Sequence, residues 1–269
     1  MTTSPHRILQ NRTNVQTISE FIRVAWLWIA PAWAERRMLW RLVTAQARGT
    51  SGLPQVQGVL TYHRTIPIGR YELTAWEWGQ GPAVLLLHAW NGQAADLTQW
   101  VQPLVKAGFR VLAADLPAHG RSSGRQASIA DWRHAVLALA RYAGPVHAVV
   151  GQRLGASVAA LAALQGMNAR RLVLQAPVAD LTAHLRAQAL AAGLSAARAD
   201  GVLRRYERYM GQGLETLAWR RTLPLLERPT LTLPAELPPG GIARAVSFLQ
   251  QGRAASIPEN HESPYRAAI

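Results

Sequence analysis

The sequence predicts an α/β fold, a mostly parallel, doubly wound sheet with a helical cap insertion and an N-terminal helical lead. Three observations predict it. Short unbroken apolar runs, "AVLLLH" at 83–88, "RVLAAD" at 110–115 and "VHAVV" at 146–150, have the length and composition of strands buried on both faces. Helix-length stretches alternate with them, the order that builds parallel sheets. The chain has 269 residues, 49% of them hydrophobic and only 16% charged, enough to bury a large core and too apolar for disorder.

Taken in order, residues 1–58 form the helical lead and residues 59–269 the α/β domain. Within the lead, "VAWLWIAPAWA" at 24–34 is an uncharged apolar run. At eleven residues it is too short to span a bilayer, and Pro31 interrupts it. It reads as an amphipathic helix, and its tryptophans among basic residues leave a peripheral membrane contact through 21–34 open. The stretch 61–79, "TYHRTIPIGRYELTAWEWG", alternates about a glycine turn and reads as a hairpin. The strand at 83–88 follows, then a helix near 96–107, the strand ending at Asp115, a helix near 129–142 and the strand at 146–150. A helix over 154–165 and the strand "RLVLQAP" at 171–177 continue the alternation. Residues 178–222 are helical and arginine-rich, as expected of a cap inserted over the sheet. "RPTLTL" at 228–233 supplies one more strand, and the remaining tail is weakly patterned.

Charge and composition narrow the function. Lysine and arginine total 29 against 15 acidic residues, a formal charge of +14, and Lys106 is the sole lysine. Such arginine bias is typical of a GC-rich bacterial genome, so part of the basicity is compositional. The arginines are scattered, without an aromatic-interleaved stripe or a nucleic-acid motif, which argues against nucleic acid as partner. No cysteine is present, excluding disulfides and a thiol nucleophile. The eight histidines show no metal-ligand spacing, and neither a P-loop nor a dinucleotide fingerprint occurs. No cofactor and no metal are expected.

Four stretches then carry a resemblance: "GPAVLLLHAWNG", "FRVLAADLPAHGRSSG", "VHAVVGQRLGASVAALAALQG" and "RRLVLQAP". In order and spacing they resemble bacterial α/β-hydrolases of the serine esterase and lysophospholipase type, over about 61–181. The resemblance implies a nucleophile elbow G-x-S-x-G, a strand-to-helix turn that lifts a serine above the sheet between two close-packing glycines. Gly151 and Gly155 match the glycines, and Arg153 stands at the serine position. A guanidinium stays protonated and has no lone pair for attack on a carbonyl. The resemblance further implies oxyanion donors around Ala89 and Trp90 and at the backbone N–H of Leu154. It implies an acid after the last strand, where Ala235 and Pro238 stand with Glu236 nearby, and a base at His261.

Ser122, Ser123, His119 and Asp115 are expected to serve a loop, and Ser157 to face the interior one helical turn beyond Arg153. The loss of serine and acid together predicts a non-catalytic, hydrolase-like protein whose cleft binds an acyl or other anionic ligand through Arg153. Alternatives are an ester hydrolase using water activated by His261, and a basic scaffold joined to a protein partner or an anionic membrane. The expected location is cytoplasmic, with or without contact at a membrane surface.

Overall fold

A computed structural model of the protein describes residues 31–46, 56–222 and 228–251. His261 and residues 21–30 of the segment expected to reach a membrane therefore lie outside the described residues.

Among the described residues seven strands form one sheet in the order β1-β2-β4-β3-β5-β6-β7. The hairpin at its edge is β1 (Thr61–Ile68) with β2 (Tyr71–Trp78), paired antiparallel, and β2 continues antiparallel onto β4 (Arg110–Ala114). From there the sheet is parallel through β3 (Ala83–Leu87), β5 (Val146–Gln152), β6 (Ala169–Gln175) and β7 (Thr230–Leu233). All five residues of β3 are buried, which explains an apolar run without alternation: both faces of this central strand are covered.

Chain order reverses at β3. The next strand, β4, lies on one side of it, and β5 and all later strands lie on the other. In open sheets of this kind, the crevice outside the carboxyl ends at such a reversal is where ligands bind.

The described helices of the sheet-bearing part have local causes. Helix α2 (Thr98–Lys106) follows a tight turn over Ala94–Leu97. Helix α3 (Ile129–Ala143) opens with a capping box: Ser128 accepts from the Asp131 N–H, and the Asp131 carboxylate accepts from the Ser128 N–H. Helix α4 (Leu154–Leu164) is buried from Leu154 through Ala163, hence its small, apolar sequence on every face.

The C-terminal helix was not expected. After the short helix α7 (Trp219–Thr222), residues 241–251 form α8 (Gly241–Gln251), with Ala245, Val246, Phe248 and Leu249 buried. The pair Gly240 and Gly241 reads as a loop in the sequence, and the apolar stripe begins directly behind it.

The chain divides into two compact units, 46–179 with 219–269 and 1–45 with 180–218. The first holds the sheet. In the second, α1 (Pro31–Val43), α5 (Leu181–Ala191) and α6 (Ala196–Met210) pack together. Glu35 of α1 pairs with Arg205 of α6 at 2.8 Å, and Arg186 with Asp200 at 2.8 Å. That the lead helix packs against the inserted helices is a tertiary pairing the sequence pattern does not contain. No helix among the described residues is long and apolar enough to cross a membrane.

Candidate functional site

The expected site residues of the sheet-bearing unit gather at the carboxyl edge of the sheet, where chain order reverses. Leu87 of β3 pairs with Gly151 of β5, so the turns that follow these two strands leave the sheet side by side. One carries Ala89 and Trp90, the other Arg153 and Leu154.

The turn after β5 is built by two close approaches. A Cβ on Gly151 would lie 2.5 Å from the Ala156 Cα, and one on Gly155 would lie 2.3 Å from the His88 carbonyl oxygen. Neither distance admits a side chain, so glycine is required at both positions. The first turn of α4 thereby rests on the backbone that leads into Ala89. Between the glycines, Arg153 is held at φ 48° and ψ −116°, a sparsely populated conformation for a residue with a Cβ. Its N–H donates to the Gln175 carbonyl at 2.8 Å, which ties the strained turn to β6.

Strain of this kind is concentrated here. The described non-glycine residues with positive φ are Asn91, Ala118, Arg153 and Ala176. They follow β3, β4, β5 and β6 respectively. Each such residue costs on the order of 1–3 kcal/mol, and such costs gather where a fold supports a working site.

The Arg153 side chain is exposed and makes no hydrogen bond or ion pair with a described residue. Trp90 and Ala89 are half-buried, and Leu154 is buried.

Below the β3 turn lies a cluster of four rings. The His88 ring is 5.4 Å from His119 and 5.1 Å from Trp132, and Trp90 meets His119 edge-on at 4.6 Å. The His88 Nδ1–H donates to the Ala89 carbonyl, and its Nε2 accepts from the Leu116 N–H at 2.9 Å. His119 repeats the arrangement: Nδ1–H donates to the Pro117 carbonyl, and Nε2 accepts from the Asn91 N–H at 3.1 Å. Both rings are thus held neutral in one tautomer. Burial pushes the His88 pKa down to about 3, with repulsion from His119 a lesser cause; burial likewise pushes His119 down to about 4. These rings brace the turns and hold no proton to exchange near neutrality.

Asp115 follows β4 and accepts from the Ala94 N–H at 2.7 Å and the Arg121 N–H at 2.8 Å. Ser122 donates to the Asp115 carbonyl and accepts from the Thr74 N–H, while Ser123 accepts from the Glu72 N–H. All three stitch the loop to β2 or to the β3 turn. Ser157 is fully buried and donates to the Val178 carbonyl at 3.0 Å, facing the interior.

At the far side, Gln152 donates to the Gln175 side chain at 3.1 Å, and Gln175 donates to the Ala235 carbonyl at 3.0 Å. This amide ladder joins the ends of β5 and β6 to the turn after β7. The sequence reading missed it. The signal was a glutamine at each strand's end, but only the register Gln152 against Gln175 makes the pair visible. Glu236 and Ala235 are exposed in that turn. Among the described residues no cluster of side chains could hold a metal ion.

The model of the family described as "Alpha/beta hydrolase family" matches residues 84–260. Among solved structures, an esterase of Pyrococcus furiosus in one crystal form is similar with a TM-score of 0.57 and 17% identity, over 78% of this chain and 97% of that one. In a second crystal form the same esterase gives 0.56 and 18%, over 77% and 98%. No curated protein matches the chain significantly.

Proposed function

The chain belongs to the alpha/beta hydrolase family, and from that membership we propose that it is a non-catalytic member that binds an acyl or other anionic ligand through Arg153. One observation carries the proposal: a strained elbow, walled by Gly151 and Gly155, with an exposed guanidinium at its apex. An elbow under such constraint serves to aim the side chain at its apex. The apex lies beside the reversal point of the sheet, where ligands of such folds bind.

A guanidinium at that apex cannot attack a carbonyl, but its planar fork matches a carboxylate or a phosphate. The backbone N–H groups of Ala89 and Leu154, the family's oxyanion donors, would face the same anion. Position 235, just beyond the last strand, carries a methyl group, so no carboxylate there orients a histidine.

The comparisons favour a second reading. The Pyrococcus furiosus protein similar in fold is an esterase, and on that analogy this chain hydrolyses carboxylic esters without a serine, with His261 activating water. The two readings separate in one assay of short-chain aryl ester turnover. The first expects no turnover above buffer from the wild type, from His261→Ala or from Arg153→Ser, the last because the acid is also missing. Wild-type turnover that vanishes in His261→Ala establishes the second reading and ends the first.

A further inference from the structure

Helix α1 carries an exposed stripe for which the sheet-bearing unit has no use. Its residues are Trp33, Arg36, Arg37 and Trp40, spaced i, i+3, i+4 and i+7 and so on one face of the helix. The indoles are 49% and 47% exposed, an unusual outlay of apolar surface for a helix whose opposite face is already packed through Ala34, Met38 and Leu42. The stripe lines a hollow of about 420 Å³, with the Arg37 guanidinium 5.3 Å from the centre of the Trp33 ring. A neighbouring hollow of about 350 Å³ lies between α1 and α6, with Arg36, Trp40, Arg208 and Tyr209 in its walls.

Both hollows belong to the same compact unit. Glu35, the acidic residue of α1, is turned to Arg205. Arg36, Arg37 and Arg208 have no carboxylate partner among the described residues. The surface is thus cationic and aromatic without an acid of its own.

We infer that this face, Trp33–Arg36–Arg37–Trp40 with Arg208 and Tyr209 beside it, docks on a membrane surface bearing anionic lipid. The two side-chain types suit the two layers such a surface offers. Indoles settle at the boundary between headgroups and acyl chains, and guanidinium groups fork onto the phosphates just outside. Each basic residue near an anionic leaflet adds to the attraction, so three of them with two indoles suffice for reversible binding. A second copy of the chain is a poor occupant, because pairing this face with itself opposes arginine to arginine.

The test is flotation of the full-length protein with vesicles of phosphatidylcholine alone and of phosphatidylcholine with phosphatidylglycerol. Expected is binding to the anionic vesicles at least about tenfold stronger than to the neutral ones, weakened by salt and unaffected by inorganic phosphate at matching phosphate concentration. Trp33→Ala with Trp40→Ala, and separately Arg36→Gln with Arg37→Gln, each reduce it about tenfold or more while far-ultraviolet circular dichroism and melting stay as in the wild type. Absent or equal binding to the two vesicle types overturns the inference, as does unchanged binding in both variants. Competition by free phosphate would make the hollow a soluble-anion site instead. Self-association abolished by the same substitutions would make the face an interface between copies.

Discussion

Between about pH 6.5 and pH 4 the protein is expected to lose stability as the pH falls, with two histidines contributing at most about 2.7 kcal/mol per pH unit, reached near the middle of the window. His88 and His119 have an ordinary pKa of 6.5 in the unfolded chain but are pushed to about 3 and about 4 in the fold. In this window the unfolded chain therefore binds two protons that the native protein refuses. Native stability rises with pH through the window and is fully present above pH 6.5. The loss continues until the folded pKa values are passed.

The cause is the ring cluster below the β3 turn. Each imidazole already uses one nitrogen as acceptor for a backbone N–H, from Leu116 or Asn91, so protonation would turn a hydrogen bond into a clash of donors. Asp115, whose pKa burial raises, acts in the opposite sense: it favours the proton in the folded state, and so offsets part of the slope at the acid end. Urea denaturation at a series of pH values measures the effect. His119→Gln, which keeps an acceptor for Asn91 and a donor for Pro117, should halve the slope to about 1.4 kcal/mol per pH unit. An undiminished slope in that variant would place the acid sensitivity elsewhere.

A single methyl group at Gly155 is the second large effect. Its Cβ would stand 2.3 Å from the His88 oxygen and 2.7 Å from that of Leu87, both backbone atoms of the central strand's end. A flexible side chain could swing aside, but a strand end bound on both sides cannot. Gly155→Ala must push α4 off the sheet, and α4 is buried from Leu154 through Ala163. The expected loss is about 3 kcal/mol in urea denaturation, with a matching fall in melting temperature. Gly166 is the control: unlike Gly155 it has positive φ, +89°, but a Cβ there meets nothing within 4 Å. Gly166→Ala should cost only about 1 kcal/mol, the backbone share alone. Equal losses at the two sites would mean that the tight approach of helix to strand is not what holds the elbow.

Much of the fold was legible because its causes are local. Apolar runs such as 83–88 can be buried only between two layers, and Ser128 with Asp131 announces a helix start by chemistry contained in four residues. The elbow was legible for a similar reason, since two glycines bracket one turn. What stayed hidden depends on who meets whom. Gln152 and Gln175 are ordinary polar residues until strand register sets them side by side. Asn91, Ala118 and Ala176 look like loop residues until the sheet places their strained backbones along one edge with Arg153. Helix α8 was lost for another reason: Gly240 and Gly241 punctuate the chain so strongly that the amphipathic stripe behind them went unread. The pairing of α1 with α6 required Glu35 to find Arg205, a contact 170 residues away in sequence.

These observations converge on Arg153, an exposed guanidinium at a backbone position that only close glycine contacts can hold. The most direct measurement is calorimetric titration of a fatty acid and of an acyl phosphate into the full-length protein and into Arg153→Ala. Expected is saturable one-to-one binding of at least one of them by the wild type, weakened about tenfold or more in the variant while the fold is unchanged. Equal affinity in the two proteins, or no saturable binding in either, would contradict it.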